Sequence, residues 1–156
     1  MQLETARFGA IDVDPDDVIT LTQPIIGFQE YRRFILLPAS ADGLVKWLQS
    51  TESGDLAFLL MNPRDLMADY RVKLAPLELS ELAVSSVDEL DIYTLLVVPE
   101  DPAKVRTNLK APILINPKLR LGRQTVLERS DYPIQFFLAQ AKRDSSREVS
   151  NARTDA

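Results

Sequence analysis

The chain contains no cysteine and no histidine. Without cysteine there can be no disulfide, no thiolate nucleophile and no cysteine zinc site. Without histidine the commonest general base, the usual triad partner and the most frequent transition-metal ligand are gone. Glycine is scarce, at five residues, and these form neither a GxxxxGK phosphate loop nor a GxGxxG turn. No HExxH is possible and no GxSxG elbow occurs. An enzyme built from this sequence would have to work with carboxylates, Lys, Tyr or Ser alone, and no motif singles out a catalytic residue, a metal or a cofactor. No apolar run approaches the ~20 residues needed to span a bilayer, and no basic then apolar leader opens the chain. A cytoplasmic protein with no membrane contact is the expectation.

What is present is ordinary for a folded domain. The chain has 156 residues, 46% hydrophobic and 26% charged, enough for one domain with a sizeable core. Lys and Arg number 18 against 23 acidic residues, a net charge of -5. From 141 to 156 the sequence is polar, with Val149 its only large aliphatic residue, and it is expected to be a disordered tail. That stretch holds four basic and three acidic residues, leaving 14 and 20 in residues 1–140, a net of -6. Such a body disfavours direct nucleic-acid binding, which needs cations to displace phosphate counterions. It suits a basic protein partner.

Strand signals dominate the pattern. Alternation at 2–8 and 11–13, the β-branched run Val18–Leu21, Arg33–Leu37, Leu56–Met61, Tyr70–Leu74 and Ile92–Val98 all read as strands. Leu44–Ser50 is assigned to a strand as well, although Leu44, Trp47 and Leu48 also have helical spacing. Turn residues punctuate them: Asp14-Pro15-Asp16-Asp17, Gln23 to Phe28, Ser40 to Gly43, Asn62-Pro63. Helices are expected at Glu78–Ser85 and, capped by Asp101 with Pro102 in the first turn, at Asp101–Leu109. Ile113-Leu114-Ile115-Asn116 lies between Pro112 and Pro117. Proline cannot donate to a ladder, so the run is a short core strand, with Gly122 in the turn and Arg123–Leu127 as its partner. The fold class predicted is mainly β: a single small antiparallel β-barrel-like domain over residues 1–140, with one or two short helices and the tail 141–156.

Binding features are few. Asp12, Asp14, Asp16 and Asp17 have a superficial calcium spacing but lack the glycine and glutamate of that loop, and turn chemistry explains them. Glu4, Glu30, Glu52 and Asp55 are scattered and single out no acid–base pair. Phe28 to Phe34 places three aromatics and two arginines after a turn, a composition enriched at interface hot spots. Trp47 is the only tryptophan; core packing is its default reading and partner anchoring stays open.

Taken in order, "RFG" (7–9), "GFQEYRRFILL" (27–37), "WLQS" (47–50), "LAFLLMNP" (56–63), "DYRVKL" (69–74), "VVPEDPAKVRTNLKAPILINPKLRLGRQTVL" (97–127) and "SDYPI" (130–134) resemble the FliW family of bacterial flagellar assembly factors across residues 2–135. The resemblance implies a compact, β-barrel-like, non-catalytic cytoplasmic regulator. It implies two partners, the RNA-binding repressor CsrA and flagellin, which compete for it, so that capture of CsrA relieves repression of flagellin translation. A monomer suffices. The expected contact residues are the acidic Asp12, Asp14, Asp16, Asp17 and Glu30 with Phe28 and Tyr31 as apolar anchors, while Asn108 orders the turn before Pro112. Two segments depart from the family pattern: Gln23 to Phe28, where the proline is displaced, and Ile134 to Leu138. Two other readings are a flagellin-binding chaperone without effect on CsrA and, in another class, a β-barrel that handles a small ligand with carboxylates.

Overall fold

The computed structural model describes residues 1–141, so the expected tail 141–156, apart from its first residue Ala141, lies outside the described residues. In chain order the strands are β1 Gln2–Thr5, β2 Gly9–Asp12, β3 Ile19–Gln23, β4 Arg33–Pro38, β5 Val45–Ser50, β6 Ala57–Met61, β7 Asp91–Val97, β8 Arg106–Thr107, β9 Ile113–Asn116, β10 Leu121–Gln124 and β11 Phe136–Phe137. One helix, α1 Pro76–Glu81, four short 3-10 turns and a helical stretch over 138–141 complete the assigned elements among the described residues.

The strands β7-β6-β5-β4-β3-β10-β9 form a ring that closes where β9 pairs with β7. The register of that closure is Asp91↔Ile115, Ile92↔Leu114 and Tyr93↔Ile113. Farther along the same edge of β7, Leu96 and Val97 pair with β8, which carries β11. The all-antiparallel expectation is corrected at one place: β3 and β10 are parallel, with an irregularity between Gly122 and Arg123. The reason is parity. Seven strands cannot alternate direction around a closed ring, so one neighbouring pair must run the same way. Closure removes the open edges that would otherwise template pairing with other chains.

The fenced run is apolar because both its faces are buried. Ile113 and Ile115 join Ile19, Leu21, Ile25, Phe34, Leu48 and Leu60 inside the barrel. Leu114 points the other way, into a second core with Tyr70, Val72, Leu82, Leu90, Ile92, Leu109, Leu127 and Phe136. Ala141 is also buried there. Asn116 ends the run by donating to the Leu82 carbonyl at 2.8 Å and accepting from the Lys118 and Leu119 N–H groups. The turn that follows is therefore Pro117 to Arg120, not Gly122. Gly122 lies within β10, where a Cβ would press on the Leu21 and Ile19 side chains and the Leu114 carbonyl.

Three other local expectations are corrected. Residues 70–74 show the expected alternation, with Tyr70 and Val72 buried, but make no ladder. Side chains hold this segment instead: the Tyr70 hydroxyl donates to the Leu109 carbonyl at 2.7 Å, and the Arg71 N–H donates to the Tyr132 hydroxyl at 2.9 Å. The expected helix from Asp101 shrinks to a 3-10 turn, Pro102–Lys104, capped by Asp101 as anticipated. Pairing of Arg106 and Thr107 with β7 and β11 overrides local helix propensity. The helix expected over Glu78–Ser85 starts earlier, at Pro76, and ends before Ala83, whose φ of 57° stops it.

The β1–β2 hairpin lies outside the ring and buries Leu3 and Val13 against Ile35 of β4. Its contact with the 51–56 loop is close: the Ala6 N–H donates to the Gly54 carbonyl at 3.0 Å, and a Cβ on Gly54 would collide with the Glu4 carbonyl oxygen. Gly54→Ala is therefore expected to cost about 1–3 kcal/mol through overpacking. Urea unfolding checks this; an unchanged midpoint would contradict it.

Burial raises the Tyr70 hydroxyl pKa above the ordinary tyrosine range, Tyr132 adds to the rise, and Arg64 opposes it. The folded protein then keeps a proton that the unfolded chain releases. Stability from this group is full below about pH 10 and falls as pH rises further. Tyr70→Phe is expected to lose about 1–3 kcal/mol near neutrality by leaving the Leu109 carbonyl unpaired. It should also fall less steeply above about pH 10. Tyr93, likewise raised by burial, leaves a residual slope. Unfolding curves across that range measure both effects.

Candidate functional site

Pro24 ends β3 and starts a nine-residue connection, 24–32, to β4. Ile25 turns inward and is buried in the barrel core. Gly27 takes φ +89°, a conformation that favours glycine. Two successive turns follow: the Phe28 N–H donates to the Ile25 carbonyl at 2.8 Å and the Tyr31 N–H to the Phe28 carbonyl at 3.2 Å. The displaced proline in Gln23 to Phe28 thus still permits an ordered turn.

This connection presents an apolar face. Ile26 is 66% exposed and Phe28 37%. Phe28 and Phe58 meet in a T-shaped contact, with centroids 4.9 Å apart, so the Phe28 ring is anchored on the barrel while part of it faces solvent. Tyr31 packs against the barrel core from outside, and Glu30 is exposed. Residues Gly27 to Tyr31 line an open concavity of about 380 Å³. The barrel interior, by contrast, is filled by Ile19, Phe34, Leu48, Leu60 and Ile113, each 0% exposed.

The acidic residues lie elsewhere. Asp14 caps the 3-10 turn Pro15–Asp17 by accepting from the Asp16 N–H at 2.9 Å. Asp12 stands 3.6 Å from the amino terminus and Asp17 3.6 Å from Arg120. Both pairs are exposed and contribute little to stability. This segment precedes β3, whereas Phe28, Glu30 and Tyr31 follow it. β3, which lies between the two groups in the chain, spans about 13 Å, four steps of strand rise. Phe28, Glu30 and Tyr31 therefore follow one end of β3, whereas Asp14, Asp16 and Asp17 precede its other end and Asp12 ends β2. Among the described residues no group of acidic side chains is arranged to hold a metal ion.

Two residues that hold the 24–32 connection were not singled out by sequence. Gln124 accepts from the Ile26 N–H at 2.8 Å and donates to the Ala111 carbonyl at 3.2 Å. Glu52, grouped with scattered surface charges, accepts from both the Arg32 and Arg33 N–H groups, at 2.7 and 2.8 Å. The only available signal was that Gln124 lies within the recognised stretch "GRQ" and Glu52 just after "WLQS". Asn108 acts as expected, accepting from the Lys110 and Ala111 N–H groups. Trp47 is half-buried and lies under the hairpin tip, with the Arg7 guanidinium 4.0 Å above its ring.

Comparison with known proteins places these features in a family. The model of the family described as FliW protein matches residues 2–138. A flagellar assembly factor FliW from Geobacter sulfurreducens is 38% identical over 160 residues, covering 97% of this chain and all of the relative. One from Thermoanaerobacter pseudethanolicus is 34% identical over 136 residues, covering 86% of this chain and 91% of the relative. A crystal structure of the flagellar assembly factor FliW superposes with a TM-score of 0.81 at 29% identity, covering 88% of this chain and 96% of that one.

Proposed function

Because the chain belongs to the FliW family of flagellar assembly factors, we propose that it is a non-catalytic cytoplasmic regulator that binds CsrA and flagellin in turn. The family match along nearly the whole domain carries this reading. Release of flagellin frees the protein to capture CsrA, and capture relieves repression of flagellin translation. No helix among the described residues is long and apolar enough to cross a membrane.

The geometry suggests how two partners exclude each other. A standard interface occupies ~800 Å² on each protein, about 30 Å across. β3, which lies between the acidic and aromatic groups, spans about 13 Å, well short of that. One partner lying along β3 reaches both, and a second has no room. The basic CsrA is steered by the acidic end, and Phe28 with Tyr31 supplies apolar burial. A negative surface held beside an RNA site also repels phosphate, so RNA is displaced by electrostatic exclusion rather than by occupation of its groove.

Calorimetric titration into CsrA from the same source, alone and with flagellin present, tests the proposal. Binding to CsrA that flagellin abolishes is expected. Binding to flagellin alone would leave a chaperone instead. If exclusion is electrostatic, displacement of RNA should weaken as salt rises toward about 0.5 M. Displacement independent of salt would contradict that mechanism.

A further inference from the structure

Gln124 sits where it cannot touch a partner yet governs a surface that can. It is 8% exposed, and its two polar atoms face opposite segments of the chain. Its Oε1 takes the Ile26 N–H, and its Nε2 gives to the carbonyl of Ala111, a residue itself buried and fixed through Asn108. The link therefore runs from a rigid turn to the first exposed residue of the 24–32 connection. The neighbouring Gly27 is the residue with most backbone freedom there. Without the clamp, Ile26 and Phe28 could leave the positions in which they are displayed.

The far side of the same connection is clamped as well. Glu52 holds the Arg32 and Arg33 N–H groups, and its own backbone is held in turn by the Ser50 hydroxyl, which accepts from the Glu52 and Ser53 N–H groups at 3.0 Å. Two side chains from different elements thus fix both ends of a short exposed loop. Ordering such a loop on binding costs affinity, and ordering it in the free protein removes that cost.

We infer that Gln124 is a positioning residue for partner binding: it preorganises the Ile26–Tyr31 surface through the Ile26 N–H, with Glu52 as its counterpart at Arg32. The inference rests on the proposed function, in which that surface faces CsrA or flagellin. Phe28→Ala, Gln124→Met, Gln124→Glu and the Phe28→Ala/Gln124→Met double variant test it, with binding kinetics measured on immobilised CsrA and on immobilised flagellin. Phe28 lies on the exposed 24–32 connection, outside the strands of the ring, so its truncation is expected to leave the barrel folded.

Phe28→Ala is expected to weaken binding to at least one partner tenfold or more. Gln124→Met should weaken the same binding about tenfold, mainly through faster dissociation, and speed exchange of the Ile26 amide. Gln124→Glu keeps the acceptor for that amide but sets a carboxylate oxygen against the Ala111 carbonyl in a buried site, so it should restore none of the affinity and lower stability as well. The double variant should bind no more than about twofold weaker than Phe28→Ala, because both changes act on one surface. Wild-type protein that binds neither partner overturns the proposed function and this inference with it. Phe28→Ala that binds both partners normally overturns the inference by removing the surface. A weakened Phe28→Ala beside an unaffected Gln124→Met overturns the positioning role alone. Additive losses in the double variant also overturn it, since Gln124 would then act through general stability.

Discussion

The fold depends on the double burial of one four-residue strand. Ile113 and Ile115 complete the barrel interior, Leu114 reaches the second core, and the backbone between them pairs with β7 on one edge and β10 on the other. Remove this strand and the ring opens, two edges are exposed, and the two cores lose their shared wall. Pro112 and Pro117 mark its ends because neither can extend the ladder. The parallel β3–β10 pair follows from the same closure, since an odd ring needs one.

Once the ring is closed, its loops are held largely by polar side chains that satisfy backbone groups. Gln49 is fully buried, and its amide nitrogen lies 3.0 to 3.4 Å from the carbonyls of Ser50, Ser53, Gly54 and Leu56. Asn108, Asn116 and Gln124 do the same elsewhere, each bridging segments distant in sequence or tying down a turn. Buried backbone groups need partners, and in a small barrel with short loops an amide side chain can supply several at once. The stretches that carry the family resemblance are largely these: "WLQS", "NLKAPILIN", "GRQ", and the Tyr70 and Tyr132 of "DYRVKL" and "SDYPI", whose rings lie 4.6 Å apart.

Strands were legible because their apolar periods and proline fences are local signals. Val18–Leu21, Arg33–Leu37, Ile92–Val98 and Ile113–Ile115 lie within a residue or two of the observed elements. The failures share one cause. Tyr70–Leu74 and Asp101–Leu109 have the local pattern of a strand and a helix, but contacts from Leu109, Tyr132, β7 and β11 decide what they become. The candidate site divides the same way. Phe28, Glu30 and Tyr31 could be grouped from sequence because they are adjacent. The strand that lies between them and the aspartates was legible too, as Val18–Leu21, and β3 proves to span about 13 Å. Gln124 was invisible as a site residue because its partner Ile26 is 98 residues away.

In the proposed function one surface along β3 serves both partners. Amide hydrogen exchange of this protein with saturating CsrA, and separately with saturating flagellin, tests it most directly. The expected result is protection in both complexes within residues 14–32, with overlapping footprints. Two footprints on separate faces, or a CsrA footprint that leaves residues 14–32 unprotected, would contradict it.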